Sequence, residues 1–282
     1  MQSDLTDNRS ALPLLNHNAT KHDDAVFGQV LQGTGFTSYP HAEFWADAFM
    51  TTILETIKSN LTRVRQQIDD ACQRSGRHSD SVALVAVTKY AKPDWVRALI
   101  DLGQVRLGES RPQQLALRAS EMPSHVEWHL IGHLQRNKVD MVLPPVQLIH
   151  SADSVRLLNR ISLSSVGLER STNVLLEVNV SGEESKDGFT PTALREAWPQ
   201  IAQLDRLHVQ GLMTMAPRAD EPESARPVFV SLRELRDELA GRPDDGRPLP
   251  ELSMGMSRDF EVAIEEGSTL VRVGSSLFEG LS

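Results

Sequence analysis

The sequence predicts an α/β fold, a single-domain (β/α)8 TIM barrel preceded by a polar N-terminal extension. Three observations lead there. Eight short β-rich runs alternate with stretches of helical period, which argues for a parallel sheet; eight is the number of such strands that closes into a barrel; and about 230 residues from Met50 onward sit near the usual barrel length of about 250. Residues 1–49 stand apart, being rich in Asn, Thr, Asp and His with no sustained period, so composition favours a disordered tail. The tail's two basic and six acidic side chains carry −4 of the net −9. Its Gly33-Thr-Gly35 resembles part of a phosphate loop but lacks the preceding strand and the third glycine. The domain boundaries expected are therefore an extension over 1–49 and a barrel over 50–282.

The barrel region opens on a capping box, Thr52-Ile-Leu-Glu55, followed by Ile53, Ile57, Leu61, Val64 and Ile68 at steps of three and four, the pattern of an amphipathic helix. Strands are expected at Val82 to Lys89, Val105 to Glu109, Val126 to Gly132, Val146 to His150, Val174 to Val180, Val209 to Met215, Leu252 to Met256 and Leu270 to Val273. Between them, Val155, Leu158 and Ile161, and then Val228, Leu232, Leu235 and Leu239, mark helices. Glycines and prolines make residues 241–250 a loop between the sixth helix and the seventh strand.

Composition narrows the function. Lys plus Arg number 29 against 38 Asp plus Glu, so no global basic surface exists for nucleic acid. A lone cysteine, Cys72, can form no internal disulfide or thiolate metal cluster. No apolar run approaches the roughly 20 residues of a membrane helix, and the N-terminus lacks the order of a secretion signal, so a cytoplasmic protein is expected.

Chemistry in such a barrel belongs at the C-terminal strand ends. The first strand ends on Lys89 after six apolar residues, where desolvation would favour a neutral, nucleophilic amine; the alternative is a lysine whose head snorkels into water. After the eighth strand come Gly274, Ser275 and Ser276, and after the seventh Ser257, which together suit a phosphate cradle; the alternative is a glycine turn with capping serines. Arg272, two residues before Gly274, shares its inward face and needs an acceptor, either a ligand or a glutamate such as Glu109 or Glu177. An amine, a phosphate cradle and an inward arginine are the parts needed to hold pyridoxal phosphate.

Other candidates are weaker. His129 and His133, four apart, would be about 13 Å apart on a strand and share no metal. Trp128 and Phe278 read as core, and Gly255-Met-Ser257 is no serine-hydrolase elbow because Arg258 and Asp259 follow.

The run ending Ala-Val-Thr-Lys89, with Pro93, Leu107-Gly-Glu-Ser110, Trp128-His-Leu-Ile-Gly-His-Leu-Gln-Arg-Asn-Lys138, Asn179-Val-Ser181, Ser185-Lys-Asp-Gly188, Gly211-Leu-Met213, Leu252-Ser-Met-Gly-Met-Ser-Arg-Asp259 and Val271-Arg-Val-Gly274, resembles the pyridoxal phosphate homeostasis protein family. That family consists of single-domain barrels related to the N-terminal domain of alanine racemase, and the likeness covers about residues 50 to 280. It implies a Schiff base between pyridoxal 5'-phosphate and Lys89, with Ser257, Gly274 and Ser275 at the phosphate and Arg272 against the pyridine nitrogen. It further implies a monomeric carrier or regulator of cofactor supply and amino-acid balance, without established turnover and in contact with apo enzymes. The alternative is a one-domain racemase or lyase. Ser110 replaces the family's usual asparagine, His133 stands where many relatives have proline, and Glu279 separates the usual Phe-Gly pair.

Overall fold

The computed structural model describes residues 41–183 and 187–281. The expected tail through residue 40, with Gly33-Thr-Gly35, and Ser185-Lys186 of the run Ser185-Lys-Asp-Gly188 lie outside the described residues. The chain divides into two units, Met1–Asp47 and Ala48–Ser282, and the second contains the barrel. Eight parallel strands close on themselves in sequence order: β1 (Ala83–Val87), β2 (Arg106–Glu109), β3 (Glu127–Leu130), β4 (Val146–Ala152), β5 (Thr172–Glu177), β6 (Leu207–Met213), β7 (Glu251–Met256) and β8 (Leu270–Val273). Helices α2 (Pro93–Asp101), α3 (Pro112–Glu121), α4 (Val139–Val142), α5 (Val155–Gly167), α6 (Pro191–Ile201), α7 (Arg226–Ala240) and α8 (Phe260–Glu265) follow β1 to β7 in turn. The expected alternation of strand and helix is thus present from end to end.

After β8 the described residues form a 3-10 turn, Ser275–Leu277. The place of an eighth crossover helix is taken by α1 (His41–Arg74). Its Ile53, Ile57, Leu61, Val64 and Ile68 are all buried, as the spacing predicts. The side chain of Asn60 donates to the carbonyls of Leu277 and Glu279, while Arg74 pairs with Glu261 and Glu265 of α8. This helix starts eleven residues before the Thr52 that was expected to cap it. Residues 41–51 contain no Gly or Pro and three alanines, so nothing ends the helix there, and the Thr56 hydroxyl donates to the Thr52 carbonyl within a continuous turn.

Two apolar layers form. The larger lies between strands and helices, with Trp198, Phe229, Leu99 and Leu158 almost fully buried. The smaller fills the lower barrel with Val85, Leu148, Leu175, Met213 and Leu270. Alternation along these same strands puts His150, Glu177 and Arg272 on the inward face two residues further on, so the upper interior is polar. β6 and β7 approach so closely that a Cβ at Gly211 would lie 1.7 Å from the Glu251 carbonyl oxygen. Among the described residues no helix is long and apolar enough to cross a membrane.

Gly211→Ala is expected to push β6 off β7 and cost about 1–3 kcal/mol or more of stability. Urea unfolding should show a lower midpoint with an unchanged slope.

Candidate functional site

At the C-terminal ends of the strands lies a cavity of about 760 Å³. Lys89, Ser257, Arg272, Gly274 and Ser275, which the sequence reading singled out, all line it. Lys89 arrives there because β1 stops at Val87; the Thr88 amide still bonds the Gly108 carbonyl at 2.9 Å, after which the chain turns toward α2. The lysine is therefore two residues past the strand, exposed, with its ammonium 5.2 Å from the centre of the Tyr90 ring. The desolvated strand-end amine that the sequence suggested is not what the structure has: the amine stands at the rim, in reach of solvent.

Opposite requirements apply to Arg272, which is 4% exposed inside the barrel. Its Nη1 donates to Ser253 Oγ at 2.5 Å and its Nη2 to the Thr214 carbonyl at 2.9 Å. Neither glutamate named from the sequence forms an ion pair with it. Glu109 points outward under α3, where its carboxylate sits 3.5 Å from Arg118 and accepts the Ser110 amide. Glu177 interacts with Arg272 only electrostatically. Burial lowers the guanidinium to about 10, with Glu177 and Asp259 opposing that shift, so it keeps its charge at neutral pH. A buried cation whose direct partners are a hydroxyl and a carbonyl can accept an electron-rich ligand atom from the cavity side.

The β7 and β8 ends supply small polar groups. The Gly274 amide donates to Ser257 Oγ at 3.2 Å, and a Cβ at Gly274 would lie 3.2 Å from Val87 Cβ, so glycine lets the β8 end close against β1. Just beyond Gly274, Ser275–Leu277 form a 3-10 turn. Phe278 stacks on Trp95 at 5.6 Å and both line the cavity, which makes Phe278 a wall and not simply core. Ser110 lines the cavity as well. A primary amine, hydroxyl and amide donors beside a glycine, and a fixed guanidinium suit a flat ring bearing an aldehyde and a phosphate.

Two features escaped the sequence reading. Below Arg272 runs a buried chain: Ser253 Oγ lies 2.8 Å from His150 Nδ1, and His150 Nε2 lies 2.9 Å from His129 Nδ1. Desolvation first, then the charge of Arg106, lowers His129 to about 4; His150 falls well below its ordinary value through desolvation, His129 and Arg272. Both rings are neutral at physiological pH. Beyond the cavity, His133 Nδ1 approaches Asp153 Oδ2 at 3.2 Å and Asp187 Oδ2 at 3.4 Å. Burial, with Asp153 and Asp187 adding to it and Arg272 and His133 opposing, pushes the neighbouring Glu177 up to about 7. The inward chain was accessible from period two in β3, β4 and β7. The cluster joins three separate strand ends, for which one sequence has no signal.

The chain matches the family model of the alanine racemase N-terminal domain over residues 54–281. It is 42% identical to the pyridoxal phosphate homeostasis protein of Aquifex aeolicus, over 77% of this chain and 95% of that protein. The protein of the same name from Pseudomonas aeruginosa is 35% identical over 80% of this chain and 96% of its own length. Among solved structures, PipY of Synechococcus elongatus with pyridoxal phosphate bound superimposes with a TM-score of 0.69 at 32% identity, over 79% of this chain and 99% of that one.

Because folding raises the Glu177 pKa, the folded chain holds a proton that the unfolded chain releases between about 4.5 and 7. Stability from this group is therefore present at acid pH and lost as pH rises through 7. Glu177→Gln is expected to be about 1–3 kcal/mol more stable than the parent at pH 8 and to lose that advantage by pH 4.5, read from denaturant unfolding in chelator across that range.

Proposed function

The chain belongs to the pyridoxal phosphate homeostasis protein family, whose barrel is that of the alanine racemase N-terminal domain, and from that premise we propose that it binds pyridoxal 5'-phosphate in the rim cavity and serves as a carrier and regulator of its supply. The observation that carries this reading is the convergence of Lys89, Ser257, Arg272, Gly274 and Ser275 on that one cavity. Bound there, the cofactor supplies an aldehyde that a primary amine captures reversibly. Lys89 provides the amine, and its exposure at the rim keeps the link open to exchange. Ser257, the Gly274 amide and Ser275 offer donors to the phosphate.

Arg272 faces the ring nitrogen in this reading. A guanidinium donates hydrogen bonds but surrenders no proton near neutral pH, and the Ser253 and Thr214 contacts hold it in place. It therefore leaves the ring a weak electron sink, which favours storage over turnover. The same reading includes a monomeric, cytoplasmic protein that hands cofactor to apo enzymes through the open mouth.

The test is a visible spectrum of the purified protein with pyridoxal phosphate, then borohydride reduction and peptide mapping. A reducible absorbance band with the label on Lys89 is expected. Lys89→Ala should abolish the label while changing stability by no more than about 0.5 kcal/mol, since an exposed side chain is lost. A label persisting in that variant moves the attachment to another lysine, and no band with added cofactor overturns the reading. Product formed from added amino acids would make the protein an enzyme instead.

A further inference from the structure

We propose that Arg118, held by Glu109, is a positioning residue for Lys89: it clamps the turn that carries the lysine against the end of β2 and so fixes where the amine meets an aldehyde in the cavity. This deepens the cofactor reading and rests on it. Lys89 and Tyr90 are the central pair of a tight turn, closed by the Ala91 amide donating to the Thr88 carbonyl at 2.9 Å. One end of the turn is fastened to β2, because the Thr88 amide donates to the Gly108 carbonyl. The other end is fastened by a side chain. Arg118, from the last turn of α3, donates from Nη2 to the Ala91 carbonyl at 2.7 Å.

The pairing around Arg118 shows what that bond costs. Glu109 is fully buried and Arg118 is 7% exposed, so neither has solvent to replace a missing partner. A guanidinium and a carboxylate in such a place ordinarily form two parallel hydrogen bonds of about 2.7–2.9 Å. Here Arg118 Nε stands 3.5 Å from Glu109 Oε2. Glu109 Oε2 and Arg118 Nη1 are the two buried side-chain atoms without a hydrogen-bond partner among the described residues. Leaving both unsatisfied is unfavourable. An ion pair that served only to pack α3 on β2 would turn its fork onto the carboxylate; this one gives its shortest bond to the turn that carries the lysine.

Glu109 carries the clamp onward into the cavity wall. Its other oxygen, Oε1, accepts the Ser110 amide at 2.8 Å and the Arg111 amide at 3.4 Å, and Ser110 lines the cavity. A Cβ at Gly132 would lie 2.3 Å from the Ser110 carbonyl oxygen, so the end of β3 closes tightly on the same residue. One buried pair thus joins the Lys89 turn to the Ser110 wall. The lysine side chain itself is exposed and keeps its rotamer freedom, so placing the amine falls to the backbone beneath it.

Capture of an aldehyde joins its carbon to the lysine nitrogen and releases its oxygen as water with the two amine hydrogens, so uptake is read as an absorbance band. Arg118→Met removes the clamp. Glu109→Gln combined with Arg118→Met also removes the stranded buried charge, and it carries the test where the single variant fails to fold. Two readouts on the full chain are needed: hydrogen exchange of the Ala91 amide without cofactor, and affinity for pyridoxal phosphate against its deoxy analogue, whose methyl group in place of the aldehyde cannot be captured. Exchange at Ala91 about 10-fold faster, with β4 and β5 unchanged, is expected, together with about 10-fold weaker binding of pyridoxal phosphate and unchanged binding of the analogue. Parental exchange at Ala91 overturns the proposal, as does unchanged affinity for pyridoxal phosphate, and equal weakening of both ligands makes the pair purely structural. If the parent chain takes up no pyridoxal phosphate, the cofactor reading falls, and the exchange at Ala91 alone decides whether Arg118 holds the turn.

Discussion

The interaction on which the upper barrel depends is the burial of Arg272. A guanidinium almost wholly buried inside a closed sheet needs fixed partners, and here a serine hydroxyl and a backbone carbonyl supply them. The direction of the buried chain follows. Arg272 only donates, so Ser253 Oγ accepts from it and has one hydrogen to give, for which His150 Nδ1 at 2.8 Å is in place as acceptor. With the serine hydrogen placed there, His150 carries its own proton on Nε2 and donates it to His129 Nδ1, the arrangement in which every hydrogen of the chain finds an acceptor. A charge on either ring would break this order and repel Arg272. The desolvation that keeps the histidines neutral is thus part of what holds the arginine in place.

Closure of the sheet is the second constraint. Among the described residues, one short turn follows the last strand. Helix α1 packs on this side of the barrel, with contacts that run from Glu261 on α8 to Gln104 after α2. The same segment bonds the carbonyls of Leu277 and Glu279, just beyond the glycine and serines at the rim. The N-terminal helix therefore fixes the turn that forms part of the cavity wall, Phe278 included.

The sequence made the barrel legible because its signals are local. Eight β-rich runs and helical period between them locate strands and helices, and β8 lies where it was expected, Leu270–Val273. The rim residues followed from position, since a strand end in a parallel barrel can point only to one face. What the sequence could not carry is pairing across the fold. Glu109 goes to Arg118 because α3 packs over β2, and no count along the chain separates that partner from Arg272. Lys89 lies beyond its strand because the chain turns after Thr88, a detail that six apolar residues in a row conceal. His133 meets Asp153 and Asp187 only through closure of the sheet. The start of α1 was missed for a different reason: an alanine-containing polar stretch looks the same whether it extends a helix or precedes one.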